Sequence, residues 1–139
     1  MTPEAARALE TARRHLTDAR AVATLGITYI AGPEAYLAAY HATEAILHHR
    51  TGRIAKTHRG LGTEFARLAR TEPRINAEFV RYLANAYEIK SVADYGAEPE
   101  ANVSREDACV TIETASRLID CIAGLIGPDE GAATGPPRS

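Results

Sequence analysis

The chain has 139 residues, one domain's worth, and 45% of them are apolar, so it is long enough to bury a core without staples. Lys and Arg number 16 against 18 Asp and Glu, and the net charge of -2 excludes a nucleic-acid reader that works through its global field; any phosphate contact has to use a local basic cluster. No apolar run reaches the length of a membrane span, and Met1-Thr2-Pro3-Glu4 has neither part of a signal peptide, so a cytoplasmic protein with no membrane contact is expected.

In chain order, Thr2 suits an N-cap, Pro3 the first helical position and Glu4 the positive end of the helix dipole. Leu9, Ala12, Leu16, Ala19 and Ala23 then repeat at helical spacing, which predicts a first helix to about Leu25 with Gly26 near its end. Gly32-Pro33 punctuates the chain, and a second helix is predicted over about 33–49, with Tyr36, Leu37, Tyr40, Ile46 and Leu47 among small alanines. Residues 51–56 read as a connector. Thr57 caps a third, shorter helix bearing Leu61, Phe65 and Leu68, which Gly60 and Gly62 weaken locally. After Thr71-Glu72-Pro73 a fourth helix is expected over about 74–91, with Ile75, Phe79, Tyr82, Leu83 and Ala86 inward, and Asp94-Tyr95-Gly96 as a loop.

Ser104 and Asp107 form a capping-box pattern. The last helix has the cleanest periodicity, in Ala108, Ile112, Ala115, Ile119, Ile122 and Ile126, and Gly127-Pro128 stops it. An all-α, up-and-down bundle of about five helices follows, occupying residues 1–127, with 128–139 as a disordered Gly-, Ala- and Pro-rich tail. Cys109 and Cys121 lie twelve residues apart on the last helix, about 18 Å along its axis, too far to bridge. Both read as buried free thiols of a reducing compartment.

Three segments in order carry a resemblance: Ala35-Tyr36-Leu37-Ala38-Ala39-Tyr40-His41-Ala42, then Lys56-Thr57-His58-Arg59-Gly60-Leu61, then Ala93-Asp94-Tyr95-Gly96 with Val103-Ser104-Arg105-Glu106-Asp107-Ala108. Together they resemble the HEPN family, in particular its small stand-alone prokaryotic branch, over roughly residues 4–126. The resemblance implies a helical bundle that dimerises and is encoded beside a minimal nucleotidyltransferase, with which it forms a toxin–antitoxin pair. It also implies a metal-independent endoribonuclease that uses no cofactor, whose signature is an Arg and, a few residues on, a His before the last helix.

At the matching place this chain reads Lys90-Ser91-Val92-Ala93-Asp94-Tyr95, with Lys where Arg is common and no His following. Lys neutralises a phosphate but lacks the bidentate fork. The expected catalytic residues are therefore Lys90, Tyr95 and His58, acting on RNA in a degenerate ribonuclease motif. Asp94 is expected to contact ligand.

Arg53-Ile54-Ala55-Lys56-Thr57-His58 has the Arg and His types at similar spacing, but between the second and third helices. It gathers Arg53, Lys56, His58 and Arg59 beside a helix start, an arrangement suited to an anion. Arg53, Lys56 and Arg59 are the expected RNA- or nucleotide-binding residues. The alternative reading is a non-catalytic helical module that binds a nucleotide or a partner protein, and a third is a purely structural dimer.

No metal site is expected. His41, Glu44 and His48 share one helical face but read as a polar or dimer-contact face. Tyr36, Tyr40, Tyr82 and Tyr87 read as core and interface residues rather than base-stacking platforms, and Arg67, Arg70, Arg74 and Arg81 as a solvated face.

Overall fold

Thr2 opens the first helix as its position demands. Its hydroxyl accepts the Ala5 N–H at 3.0 Å, Pro3 needs no donor at that point, and α1 (Pro3–Thr24) follows. Gly26, at φ +84°, turns the chain into the left-handed region where a Cβ is costly. The computed structural model describes residues 1–94 and 104–127, with side chains described for 1–85 and 104–127.

The second helix departs from expectation: α2 (Thr28–Thr51) starts five residues before Pro33 and carries that proline inside it. The proline removes the hydrogen bond its N–H would have made to the Tyr29 carbonyl and crowds that carbonyl with its ring. Ala31 and Ala35, both 0% exposed, bury the same turns and offset that loss. The helix ends on Gly52 at φ +74°, whose N–H donates to the His48 carbonyl.

Three further helices complete the fold: α3 (His58–Thr71), α4 (Ala77–Asp94) and α5 (Arg105–Ile126). No strand occurs among the described residues. The chain is an all-α bundle in which α2 packs against each of the other four helices. That central position explains why α2 lacks a single apolar face: Ala35, Tyr36, Ala38, Ala39, Ala42, Ala45, Ile46 and Leu47 are buried around it. Against α1 the contact is alanine on alanine, with Ala5, Ala12 and Ala19 also fully buried, so the two helix backbones approach closely.

Thr57 caps α3 as expected, its hydroxyl accepting the Gly60 N–H at 2.8 Å. Gly60 is no accident there, because a Cβ on it would lie 2.9 Å from that hydroxyl oxygen. The fourth helix begins three residues later than the expected Arg74. Asn76 caps it, its Oδ1 accepting the Glu78 N–H at 2.8 Å, while Arg74 is held in a turn by the Glu72 carboxylate. Its far end also differs: Asp94 closes α4 instead of opening a loop.

The capping box of Ser104 and Asp107 forms, and every residue of the expected α5 stripe is buried. The two cysteines correct the sequence reading. Cys109 is exposed and Cys121 half-exposed, because each stands one step around α5 from the buried Ala108–Ile112–Ala115–Ile119–Ile122 stripe. The segment after Gly127 lies outside the described residues.

Candidate functional site at the α2–α3 junction

The junction is shaped by how far the connector must travel. Thr51 and Tyr40 are eleven residues apart on α2, about 16 Å at the helical rise. The seven residues from Gly52 to His58 span at most about 25 Å when extended. They fold back along α2, so that His58 at the start of α3 meets Tyr36 and Tyr40 rather than the end of the helix it follows. Thr51 pins the turn, its hydroxyl donating to the Leu47 carbonyl at 2.7 Å and accepting the Arg53 N–H at 3.1 Å.

His58 Nδ1 lies 2.7 Å from the Tyr36 hydroxyl, close enough to share a hydrogen bond. Its ring packs 5.6 Å from the Tyr36 ring and 4.5 Å from that of Tyr40. Tyr36 is buried at 2% exposure and fixes the imidazole from below. The Tyr40 phenol is pushed above its ordinary value, by burial first and by the Glu44 carboxylate second, so it stays protonated at neutral pH and cannot serve there as a base.

Beside this ring cluster the connector encloses a hollow of about 260 Å³, with Leu47, Ile54 and Ala55 as its apolar wall. Exposed Arg53 and Lys56 stand at its edge, and Thr51 and Glu64 complete the lining. Glu64 is paired with Arg67 at 2.9 Å.

The residues predicted to gather at one anion site therefore divide. Arg53 and Lys56 line the hollow, His58 turns into α2, and Arg59 is exposed outside the lining. Lys90 and Asp94 lie on the last turns of α4, with side chains outside the described set, and Tyr95 lies outside the described residues altogether.

The face His41–Glu44–His48 also divides. His41 Nδ1 donates to Glu44 Oε1 at 2.7 Å, whereas His48 reaches the Thr2 hydroxyl at the head of α1, 3.0 Å away. Instead, His15 of α1 joins His41, the two rings lying parallel with centroids 5.4 Å apart, and His15 Nδ1 is 2.7 Å from Glu34 Oε1. Neither the Tyr36–His58 pair nor the His15–Glu34 pair was singled out from sequence. The second pair joins a half-buried histidine and glutamate across the Ala-rich α1–α2 seam, a contact with no local counterpart in the sequence.

Among the described residues, no helix is long and apolar enough to cross a membrane. Comparison with curated proteins returns no match. The family model described as HEPN domain matches residues 5–125, which span α1, the α2–α3 junction and nearly all of α5, and the chain belongs to the HEPN domain family.

Proposed function

We propose that the chain binds RNA or a nucleotide through the α2–α3 junction, with Arg53 and Lys56 on phosphate and the Leu47–Ile54–Ala55 wall against a base or ribose. A nucleotide- or RNA-related role follows in general terms from HEPN membership. The observation that carries the reading is the pair of exposed cations lining a hollow of mixed polarity, from which Ile54 projects at 55% exposure. Glu64, facing them, suits an amino group of a base and disfavours a second phosphate. Arg59, one residue past His58, extends the cationic edge toward a longer strand.

In its fullest form the reading is a HEPN homodimer in the cytoplasm, acting as the toxin-like member of a pair with a minimal nucleotidyltransferase. RNA cleavage would proceed by attack of a 2′-hydroxyl on the adjacent phosphorus, releasing the 5′-oxygen and leaving a cyclic phosphate. Lys90 and Asp94 belong to the ligand-facing end of α4 in this scheme. Lys90 holds the phosphate while Tyr95 and His58 move the protons. A second reading, binding without turnover, is favoured by the engagement of His58 with Tyr36 and Tyr40, which gives that ring a packing role.

Fluorescence anisotropy with a short labelled RNA tests the binding. Arg53→Ala and Lys56→Ala are each expected to weaken it and to lower its salt slope by about 1. Unchanged affinity in both variants removes the junction as the site. Incubating RNA with wild type, Lys90→Ala and His58→Ala in chelator separates the versions. Cleavage lost in both variants supports turnover, and no cleavage by wild type leaves the binding module.

A further inference from the structure

A second cluster of polar side chains lies on the α1–α2 seam, away from the basic connector. His15 and Asp18 lie one turn apart on α1, and Glu34 faces them from α2. Each offers one ligand atom, and these atoms all lie within 4.8 Å of one another. From this geometry we propose that His15, Asp18 and Glu34 form a binding site for a divalent first-row metal ion that clasps α1 to α2.

The donor set fits such an ion. One imidazole nitrogen and two carboxylate oxygens are borderline-to-hard ligands, and two carboxylates balance the charge of a divalent cation. Zinc takes such donors at about 2.0–2.2 Å, which places neighbouring ligand atoms roughly 3.3 Å apart, so modest side-chain rotation closes the present spacing. His15 Nδ1 and Glu34 Oε1 share a hydrogen bond at 2.7 Å with side chains only 23% and 26% exposed, so the two side chains are held together, and an ion bound to both atoms takes the place of the proton between them. The surrounding backbone is equally fixed. Ala12, Ala19, Ala31, Ala35 and Ala38, all fully buried, hold the two helices together on either side.

His41 adds what a surface acidic cluster lacks. Its ring stacks on that of His15 with the two planes 6° from parallel, and Tyr40 makes an edge contact with it. His41 is itself anchored by Glu44. It is a positioning residue that fixes the plane of the His15 imidazole. Three protein ligands leave the remaining coordination position to water.

Zinc is the probe, and cobalt is its spectroscopic substitute. The full chain, freed of metal by chelator and dialysis, is titrated with zinc by calorimetry and with cobalt by visible absorption. One zinc per chain is expected, with cobalt d–d bands of tetrahedral or five-coordinate intensity. Affinity is expected to fall roughly 100-fold in His15→Ala and Glu34→Gln, and about 10-fold in His41→Ala.

Asp18 is exposed, so Asp18→Asn tests a ligand with no structural burden, and it too is expected to weaken binding. His48→Ala, which changes a histidine held at Thr2, is expected to bind zinc like wild type. Absence of binding overturns the proposal. So does zinc affinity that survives His15→Ala and Asp18→Asn but is lost in His48→Ala, since the ion would then sit on other histidines.

Discussion

Two histidine settings against the same central helix teach opposite lessons. On the α1–α2 seam, His15 and His41 each contact a carboxylate, Glu34 and Glu44. At the α2–α3 junction, His58 contacts a neutral phenol, Tyr36, with Tyr40 alongside. The first setting gathers negative charge around imidazole nitrogens, which attracts a cation and repels phosphate. The second holds its imidazole against phenol rings and lies beside a connector carrying Arg53 and Lys56. A continuous run of rings, His15–His41–Tyr40–His58–Tyr36, joins the two. The settings differ in their second partners, not in the histidines.

The sharpest way to break this comparison is through burial. Tyr36 is at the core end of its pair, so Tyr36→Ala is expected to cost about 3–5 kcal/mol in urea unfolding, as for other buried aromatic truncations. His15→Ala removes a partly solvated pair and is expected to cost about 1 kcal/mol or less. Equal losses would show that the seam is anchored in the core as firmly as the junction. Next in size is Tyr36→Phe, which removes only the hydroxyl and is expected to cost about 1 kcal/mol. The His58 ring resonances are expected to shift with it while those of His15 stay, and movement of both would mean that the ring run transmits the change.

The fold was largely legible because local chemistry and periodicity agreed. Thr2, Thr57 and the Ser104–Asp107 box cap the helices they were expected to cap. The α5 stripe is buried residue for residue. What failed was punctuation. Pro33 reads as a boundary, yet tertiary burial of Ala31 and Ala35 carries the helix through it. The cysteines were misplaced because their type favours burial while their position on α5 faces outward.

The site was legible only in part. A cluster within one connector, Arg53 to Arg59, is visible in sequence, but which members face the hollow depends on the connector folding back along α2. Pairs separated by 19 and 22 residues, His15–Glu34 and Tyr36–His58, leave no local pattern to read.

The junction also depends on how α3 starts, and the next effect is of similar size. Thr57→Ala is expected to cost about 1 kcal/mol, the usual worth of an N-cap. Gly60→Ala would gain close to 1 kcal/mol of helix propensity in an open position. Here its new Cβ would lie 2.9 Å from the Thr57 hydroxyl oxygen, so it is expected to destabilise instead. Stabilisation by Gly60→Ala in thermal melts would mean that the cap yields freely and does not position His58.

A third setting, built on a carboxylate, gives the smallest expected effect and a useful contrast with the other two. Glu72 holds arginines rather than histidines: Arg74 at 2.8 Å and Arg50, at the end of α2, at 3.4 Å. The hydrogen bond from Arg74 lowers its carboxyl from 4.5 to about 2, with the Arg50 bond and the Arg74 charge acting in the same direction. A carboxyl depressed in the folded state adds stability above its unfolded value, and that contribution disappears as pH falls through the folded value. Urea midpoints of wild type and Glu72→Gln are therefore expected to differ above pH 4.5 and to converge as pH approaches 2. Arg74 is 70% exposed, so salt screens the pair, and raising ionic strength is expected to shrink the gap. A gap that persists unchanged at low pH would show that Glu72 contributes through packing alone. Its role in tying the end of α2 to the α3–α4 turn would then not depend on its charge, unlike the metal-ligand role assigned to Glu34.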